Sequence, residues 1–192
     1  MIWICLVVDK MGTVSNVLYL VLFFRIALEL GSINASRFKF TNFVCDSVNE
    51  TWLAVHQCRL KAIRRGTTTL SFNGTVLKKV SKFRVHGQIF KRANGFKPWL
   101  YNISFDGCRF LRKPYEPPVI IVFNLLKSFS NLNFTCPYMG PVYIMGLHII
   151  GEQIPVPLPT GEYLIQIKWY IGKTLFLSTG IRFAFEENFS SY

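Results

Sequence analysis

The chain has 192 residues, 51% of them hydrophobic and 16% aromatic, and 22 Lys and Arg against 10 Asp and Glu give a formal net charge of +12. That length sets the scale of one domain with one modest core. The scarcity of carboxylates speaks against a glycosidase built on paired acids, while the basic balance favours anionic partners of any kind.

From Val17 to Leu30 the run VLYLVLFFRIALEL is apolar apart from Arg25 and Glu29, and small residues gather at Gly31, Ser32, Ala35 and Ser36. The pattern predicts a signal peptide over residues 1–35, cleaved near Ala35, followed by a single domain over 36–192. A membrane anchor is the competing reading, but a spanning helix needs roughly 20 apolar residues and Arg25 breaks this run after about eight. Met11 is an alternative start, because Asp9 and Lys10 separate Ile2–Val8 from the main apolar run. The acids and bases of the removed segment (Asp9, Glu29, Lys10, Arg25) cancel, so the basicity belongs to the domain. It is grouped at Arg59, Lys61, Arg64 and Arg65, at Lys78, Lys79, Lys82 and Arg84, and at Arg109, Arg112 and Lys113. Such groups attract lipid head groups, acidic glycans or nucleic acid, of which export removes the last; they also serve simply as a solvated, solubilising face.

Cysteine and glycosylation signals agree with export. Without Cys5 the domain holds Cys45, Cys58, Cys108 and Cys136, an even set suited to two disulfides in an oxidising compartment. Of the three possible pairings, Cys45 with Cys58 and Cys108 with Cys136 is favoured because each pair is local in sequence and needs no crossing of the fold. A zinc site is disfavoured, since no C-x-x-C pair occurs and no histidine stands at ligand spacing from a cysteine pair. Asn-x-Ser/Thr acceptors stand at Asn34, Asn49, Asn73, Asn102, Asn133 and Asn188. Asn34 falls at the cleavage point and Asn188 in the tail, so Asn49, Asn73, Asn102 and Asn133 are the expected glycosylation sites, each on a solvent-facing position.

Period-two alternation then marks strands in chain order. Thr67 to Asn73 sets Leu70 and Phe72 opposite Thr69, Ser71 and Asn73. Lys82 to Ile89 sets Phe83, Val85, Gly87 and Ile89 opposite Lys82, Arg84, His86 and Gln88. Trp99 to Asp106 sets Trp99, Tyr101, Ile103 and Phe105 opposite a polar face that carries the Asn102 sequon. After Pro117 and Pro118, the run VIIVFNLLKSFSNL places Val119, Val122, Leu126 and Phe129 at helical spacing, predicting a short helix over about 118–130 that covers one edge or mouth, with a buried strand as the alternative because the run is also β-branched. Val142 to Ile150, apolar on both faces apart from His148, predicts a strand covered on both sides. Tyr163 to Ile171 and Leu175 to Phe185 complete the set. Turn signals at Asn94-Gly95, Pro155 to Gly161 and Gly172-Lys173 make the expectation an all-β, two-sheet antiparallel sandwich of immunoglobulin-like type.

No string for a nucleophile elbow, phosphate-binding loop, dinucleotide fold or zinc protease is present. His56, His86 and His148 are far apart, and Glu186 and Glu187, adjacent on a strand end, would face opposite ways. No catalytic residue, metal ligand or cofactor is therefore expected. The aromatic load has a different use: splayed sheets can enclose an apolar ligand site. By strand phase the candidate ligand-binding residues are Phe72, Phe83, Val85, Trp99, Tyr101, Phe105 and Phe123, which would serve equally well as packed core.

The stretches FTNFVCDSVNETWLAVHQCRLKAIRR (40–65), FKRANGFKPWLYN (90–102), SFDGCRFLRK (104–113), NFTCPYMGPVY (133–143) and PLPTGEYLIQIKWY (157–170) resemble a large insect family of secreted proteins of uncharacterised general function. That family is regarded as a distant relative of ML lipid-recognition domains and ganglioside-activator proteins, with some insect members linked to contact chemosensation. The resemblance implies an ML-like sandwich able to hold a lipid between its sheets, although Phe134 and Phe96 depart from the family's usual residues. The expected protein is extracellular, binding a lipid or hydrophobic small molecule, with membrane-surface or receptor contact and no nucleic acid. The alternative is a secreted interaction protein that meets a receptor or acidic glycan through its basic face; a hydrolase comes third.

Overall fold

The structure, a computed structural model, describes residues 36–187 except 65 and 155–157, together with residue 19 and residues 21–23. The rest of the predicted signal peptide, its cleavage region and the sequons at Asn34 and Asn188 lie outside the described residues, as does part of the turn predicted from Pro155. Residues 36–187 cluster as one unit. No helix among the described residues is long and apolar enough to cross a membrane.

In chain order the elements are β1 (Arg37–Val48), β2 (Leu53–Arg64), β3 (Thr67–Val80), β4 (Arg84–Ala93), β5 (Gly95–Asp106), α1 (Gly107–Arg112), α2 (Pro117–Lys127), β6 (Tyr138–Leu147), a 3-10 turn (Gly151–Gln153), β7 (Gly161–Ile171) and β8 (Thr174–Glu186). Strands β1-β8-β7-β4-β5 form one sheet and β2-β3-β6 the other. Every pairing is antiparallel, and the turns at Asn94 and Gly172-Lys173 close the β4–β5 and β7–β8 hairpins. The two-sheet antiparallel arrangement expected from the alternation is the one observed.

The alternation puts one side chain in two into the space between the sheets. From the larger sheet come Phe40, Phe43, Tyr163, Leu177, Phe183 and Phe185; from the smaller, Leu53, Leu70, Phe72 and Leu147. Tyr163 is the deepest, 0% exposed, stacked on Phe183 with ring centroids 5.2 Å apart. Its hydroxyl donates to the Pro159 carbonyl oxygen at 2.5 Å, so the one polar atom of this ring is satisfied. Burial and, second, the nearby Glu187 charge raise its pKa above the ordinary 10.0. A raised phenol pKa contributes stability that is fully present below the unfolded value and is lost as pH rises through the folded value. Urea unfolding between neutral pH and pH ~11 should therefore show a stability loss above about pH 10. Tyr163→Phe should be less stable by about 1 kcal/mol at neutral pH for the missing hydrogen bond and show a smaller alkaline loss. Parallel alkaline limbs in the two proteins would contradict this role.

Cys45 of β1 is bonded to Cys58 of β2, and Cys108 of α1 to Cys136 just before β6. The pairing expected from sequence is thus observed, but its argument needs correction for the first bond. Residues 13 apart in sequence belong to opposite sheets, so this bond crosses the sandwich and joins its layers.

Of the four edge strands, β1, β5, β2 and β6, two carry features that blunt them. On β5, Lys97 and Pro98 are exposed, and the ladder slips between Gln88 and Ile89, where Leu100 adopts φ 28° and stands 69% exposed. A charge, a proline and a bulge each discourage another strand from adding there. On β6, the Asn131 amide takes the place of a neighbouring strand: its Nδ2 donates to Pro141 O at 2.7 Å and its Oδ1 accepts from Tyr143 N at 2.9 Å. Met145 N then donates to Phe129 O at 2.8 Å.

Three expectations change. The predicted helix over 118–130 runs Pro117–Lys127, because the chain turns at Ser128 to bring Ser130 beside Ile144 of β6. A second helix, α1, follows β5 directly. The strand expected over Val142 to Ile150 ends at Leu147 and is covered on one side only, with Tyr143 40% and Met145 47% exposed. As an edge strand of a three-stranded sheet it has no layer outside it, and its apolar outer residues misled the reading.

Candidate functional site

The two sheets approach each other most closely through β1. Contacts from β1 reach β2 and β3, whereas α1 packs on β4 and β5. At that end the β5 chain stops being a strand for a local reason. Asp106 is an N-cap whose Oδ1 accepts from Arg109 N at 3.0 Å, and the residue after it is Gly107. Gly107 N donates to Phe83 O at 2.9 Å, and the missing side chain is essential, since a Cβ there would overlap the Phe83 ring. Asp106 also lies 3.7 Å from Lys82 Nζ, and its backbone N–H donates to the Tyr115 hydroxyl at 3.0 Å.

The short turn of α1 inserts Phe110, 3% exposed, into a cluster of aromatics. Phe105, Phe123 and Tyr115 surround it at centroid distances of 5.2, 5.5 and 6.2 Å. Phe83 stacks on Trp169 at 6.2 Å. Beside this cluster an open cleft of about 590 Å³ is lined by Phe83, Phe105 and Tyr115, with Lys82, Arg84 and Asp106 among its polar residues. The volume lies within the range of small-molecule sites, roughly 300–1,000 Å³. Arg84 and Arg109 lean on Tyr170 and Tyr115 at 5.3 and 4.6 Å, which holds the cations in place over rings. Nearby, the buried Trp169 Nε1 has no hydrogen-bond partner among the described residues. A second groove, about 400 Å³ over His56 to Arg59, is shallow and mostly polar.

The seven residues expected to bind ligand separate into four places. Phe83 and Phe105 line the cleft; Val85, 4% exposed, lies between Phe105 and Trp169 in register; and Phe123 closes on Phe110 from α2. Tyr101 is half-buried midway along β5, beside the bulge. Trp99 is at the opposite end, 5.2 Å from Tyr163, with Lys91 over both rings, and Phe72 belongs to the packed core of the smaller sheet. Strand phase gives the side of a sheet, not the position along it, and the bulge in the β4–β5 ladder sets Tyr101 apart. Phe110, Tyr115 and Trp169 were missed as site residues, although Asp106 before a short apolar-basic run was a helix-start signal.

The four expected glycosylation sites occupy different settings. Asn102 and Asn133 are exposed, Asn73 is half-exposed on β3, and Asn49 sits in the β1–β2 turn with its Oδ1 accepting from Thr51 N and Oγ at 3.1 and 2.7 Å. Among the described residues no three His, Cys, Asp or Glu side chains gather as metal ligands.

Residues 85–165 match a family described as a protein of unknown function (DUF1091). No curated protein matches the chain. Among solved structures the chain is similar to a Niemann-Pick type C2 protein from the Japanese carpenter ant, at 12% identity and a TM-score of 0.29, over 77% of this chain and 92% of that one.

Proposed function

We propose that the protein is a secreted, non-catalytic binder of a lipid or other hydrophobic small molecule, held at the helical end of the sandwich. The setting is the chemosensory or lipid-transfer one that the sequence resemblance implies. The observation that carries this reading is α2. Every residue of PPVIIVFNLLK except Asn124 and Lys127 is apolar, yet none is buried. A helix apolar all round is ordinarily enclosed by its own protein, and among the described residues this one is only partly covered, through Phe123 on Phe110 and Leu126 on the core. An apolar chain that runs from the cleft past Phe110, which touches both Phe105 and Phe123, and on to α2 would cover it. Lys82 and Arg84 of the cleft wall would meet an anionic head group.

Native mass spectrometry of the protein secreted from insect cells and enzymatically deglycosylated tests the reading, followed by organic extraction of the same sample. The expected result is an adduct of lipid size that leaves on denaturation and whose class the extract identifies. A bare-chain mass, together with no adduct from a panel of fatty acids, phospholipids and long-chain hydrocarbons, would sink it. The alternative, docking on a receptor or acidic glycan, is favoured by the outer end of β2, where Lys61, Ile63 and Arg64 are all exposed. It would then stand in place of the ligand reading, with salt-sensitive retention on an acidic polysaccharide as its mark.

A further inference from the structure

The outer face of the three-stranded sheet carries a feature that ligand binding leaves unexplained. On edge strand β6 the outward row is Met139, Pro141, Tyr143 and Met145, with Met139 62%, Tyr143 40% and Met145 47% exposed. Among the described residues no layer lies over that row, and an exposed apolar strip on an edge strand invites association. The neighbouring strand brings Asn73 into register directly opposite Tyr143. Core residue Phe72 faces inward opposite Ile144, so Asn73 and Tyr143 share the outer face. Directly opposed residues hold their Cβ atoms about 5 Å apart. Asn73 begins the acceptor sequence Asn73-Gly74-Thr75.

We infer that Asn73 carries an N-linked glycan whose first N-acetylglucosamine lies on the Tyr143 ring and shields the apolar row of β6. A pyranose ring has one face of C–H groups, which suits the negative face of an aromatic ring. The linkage from Asn73 starts beside that ring, so the sugar needs little additional ordering to reach it. Of the four expected acceptors only Asn73 has this neighbour among the described residues: Asn102 stands opposite Gln88, and Asn49 and Asn133 lie in turns. The inference rests on entry of the chain into the secretory pathway, not on the nature of any ligand.

The test uses the full chain expressed in insect cells with a mannosidase inhibitor, which keeps the glycans open to an endoglycosidase that leaves one N-acetylglucosamine. Glycopeptide mass spectrometry should find Asn73 occupied. Trimming to the single sugar should leave the melting temperature within about 1 °C, whereas Asn73→Gln should lower it by about 3 °C or more and promote self-association. Asn102→Gln should leave both unchanged. Tyr143→Ala should cost a similar shift only in protein glycosylated at Asn73, so that the two substitutions are non-additive. Occupancy at Asn102 with Asn73 empty, equal effects of Asn73→Gln and Asn102→Gln, or additivity with Tyr143→Ala would each overturn the inference. All four acceptors empty would overturn the export reading and the inference with it, while leaving lipid binding to its own test.

Discussion

The double substitution Cys45→Ala/Cys58→Ala is expected to lower stability by about 3 kcal/mol and the melting temperature by roughly 6–12 °C, measured by calorimetry under non-reducing conditions. Two effects act in the same direction. Closing a 13-residue interval restrains the unfolded chain, and in the folded chain the bond joins β1 of the larger sheet to β2 of the smaller. Without it the layers are held by the apolar contacts centred on Leu53, Leu70 and Tyr163. The Cys108–Cys136 bond spans 28 residues and encloses α2, so on chain entropy alone its loss should cost under about 1 kcal/mol more. Its distinct consequence is local. Losing Cys45–Cys58 should leave lipid uptake intact below the melting range, whereas losing Cys108–Cys136 should weaken uptake even at temperatures where the protein is folded. Equal uptake by both variants would argue that the helical segment has no part in binding.

How far these features could be read from the chain depends on the distance over which each is decided. Strands β3, β4, β5, β7 and β8 were legible because a half-buried strand writes its two faces into adjacent residues, as Phe83, Val85 and Ile89 do against Lys82, Arg84 and Gln88. The proline pair at 117–118 made α2 legible for a similarly local reason. Strand β6 was misjudged because Met139, Tyr143 and Met145 are as apolar as the inward Val142 and Ile144; nothing in the pattern distinguishes a covered face from a bare one. The α1 turn was invisible at six residues, too short for periodicity to declare itself. The cleft was half legible. Alternation put Phe83, Val85 and Phe105 on one side of their strands, but the meeting of Phe105 with Phe110 and of Phe83 with Trp169 is a tertiary fact. Trp99 and Phe72 share that inward phase and sit elsewhere for the same reason.

Gly107→Ala is expected to alter both stability and ligand uptake, because one added methyl group meets the Phe83 ring instead of open space. Alanine is ordinarily the better helix former, so propensity alone predicts a small gain at this first helical position. The steric effect is the larger. Phe83 cannot yield freely, since its far side rests on Trp169 and its carbonyl oxygen accepts from Gly107 N. Overpacking of this kind costs about 1–3 kcal/mol, which outweighs a gain of under about 1 kcal/mol from propensity. The displaced ring has the open cleft as its available space, so ligand affinity should fall by about tenfold or more if the lost contact is worth about 1.4 kcal/mol. The companion substitution Phe83→Leu separates the two effects. It removes the clash, so Gly107→Ala introduced into that background should cost little further stability. Titration of a fluorescent fatty acid together with urea unfolding of the four proteins reads both quantities. If Gly107→Ala lowers stability equally with Phe or Leu at position 83, the close approach of that ring is not what requires glycine. If affinity is unchanged throughout, the ligand lies away from Phe83 and the cleft is not its site.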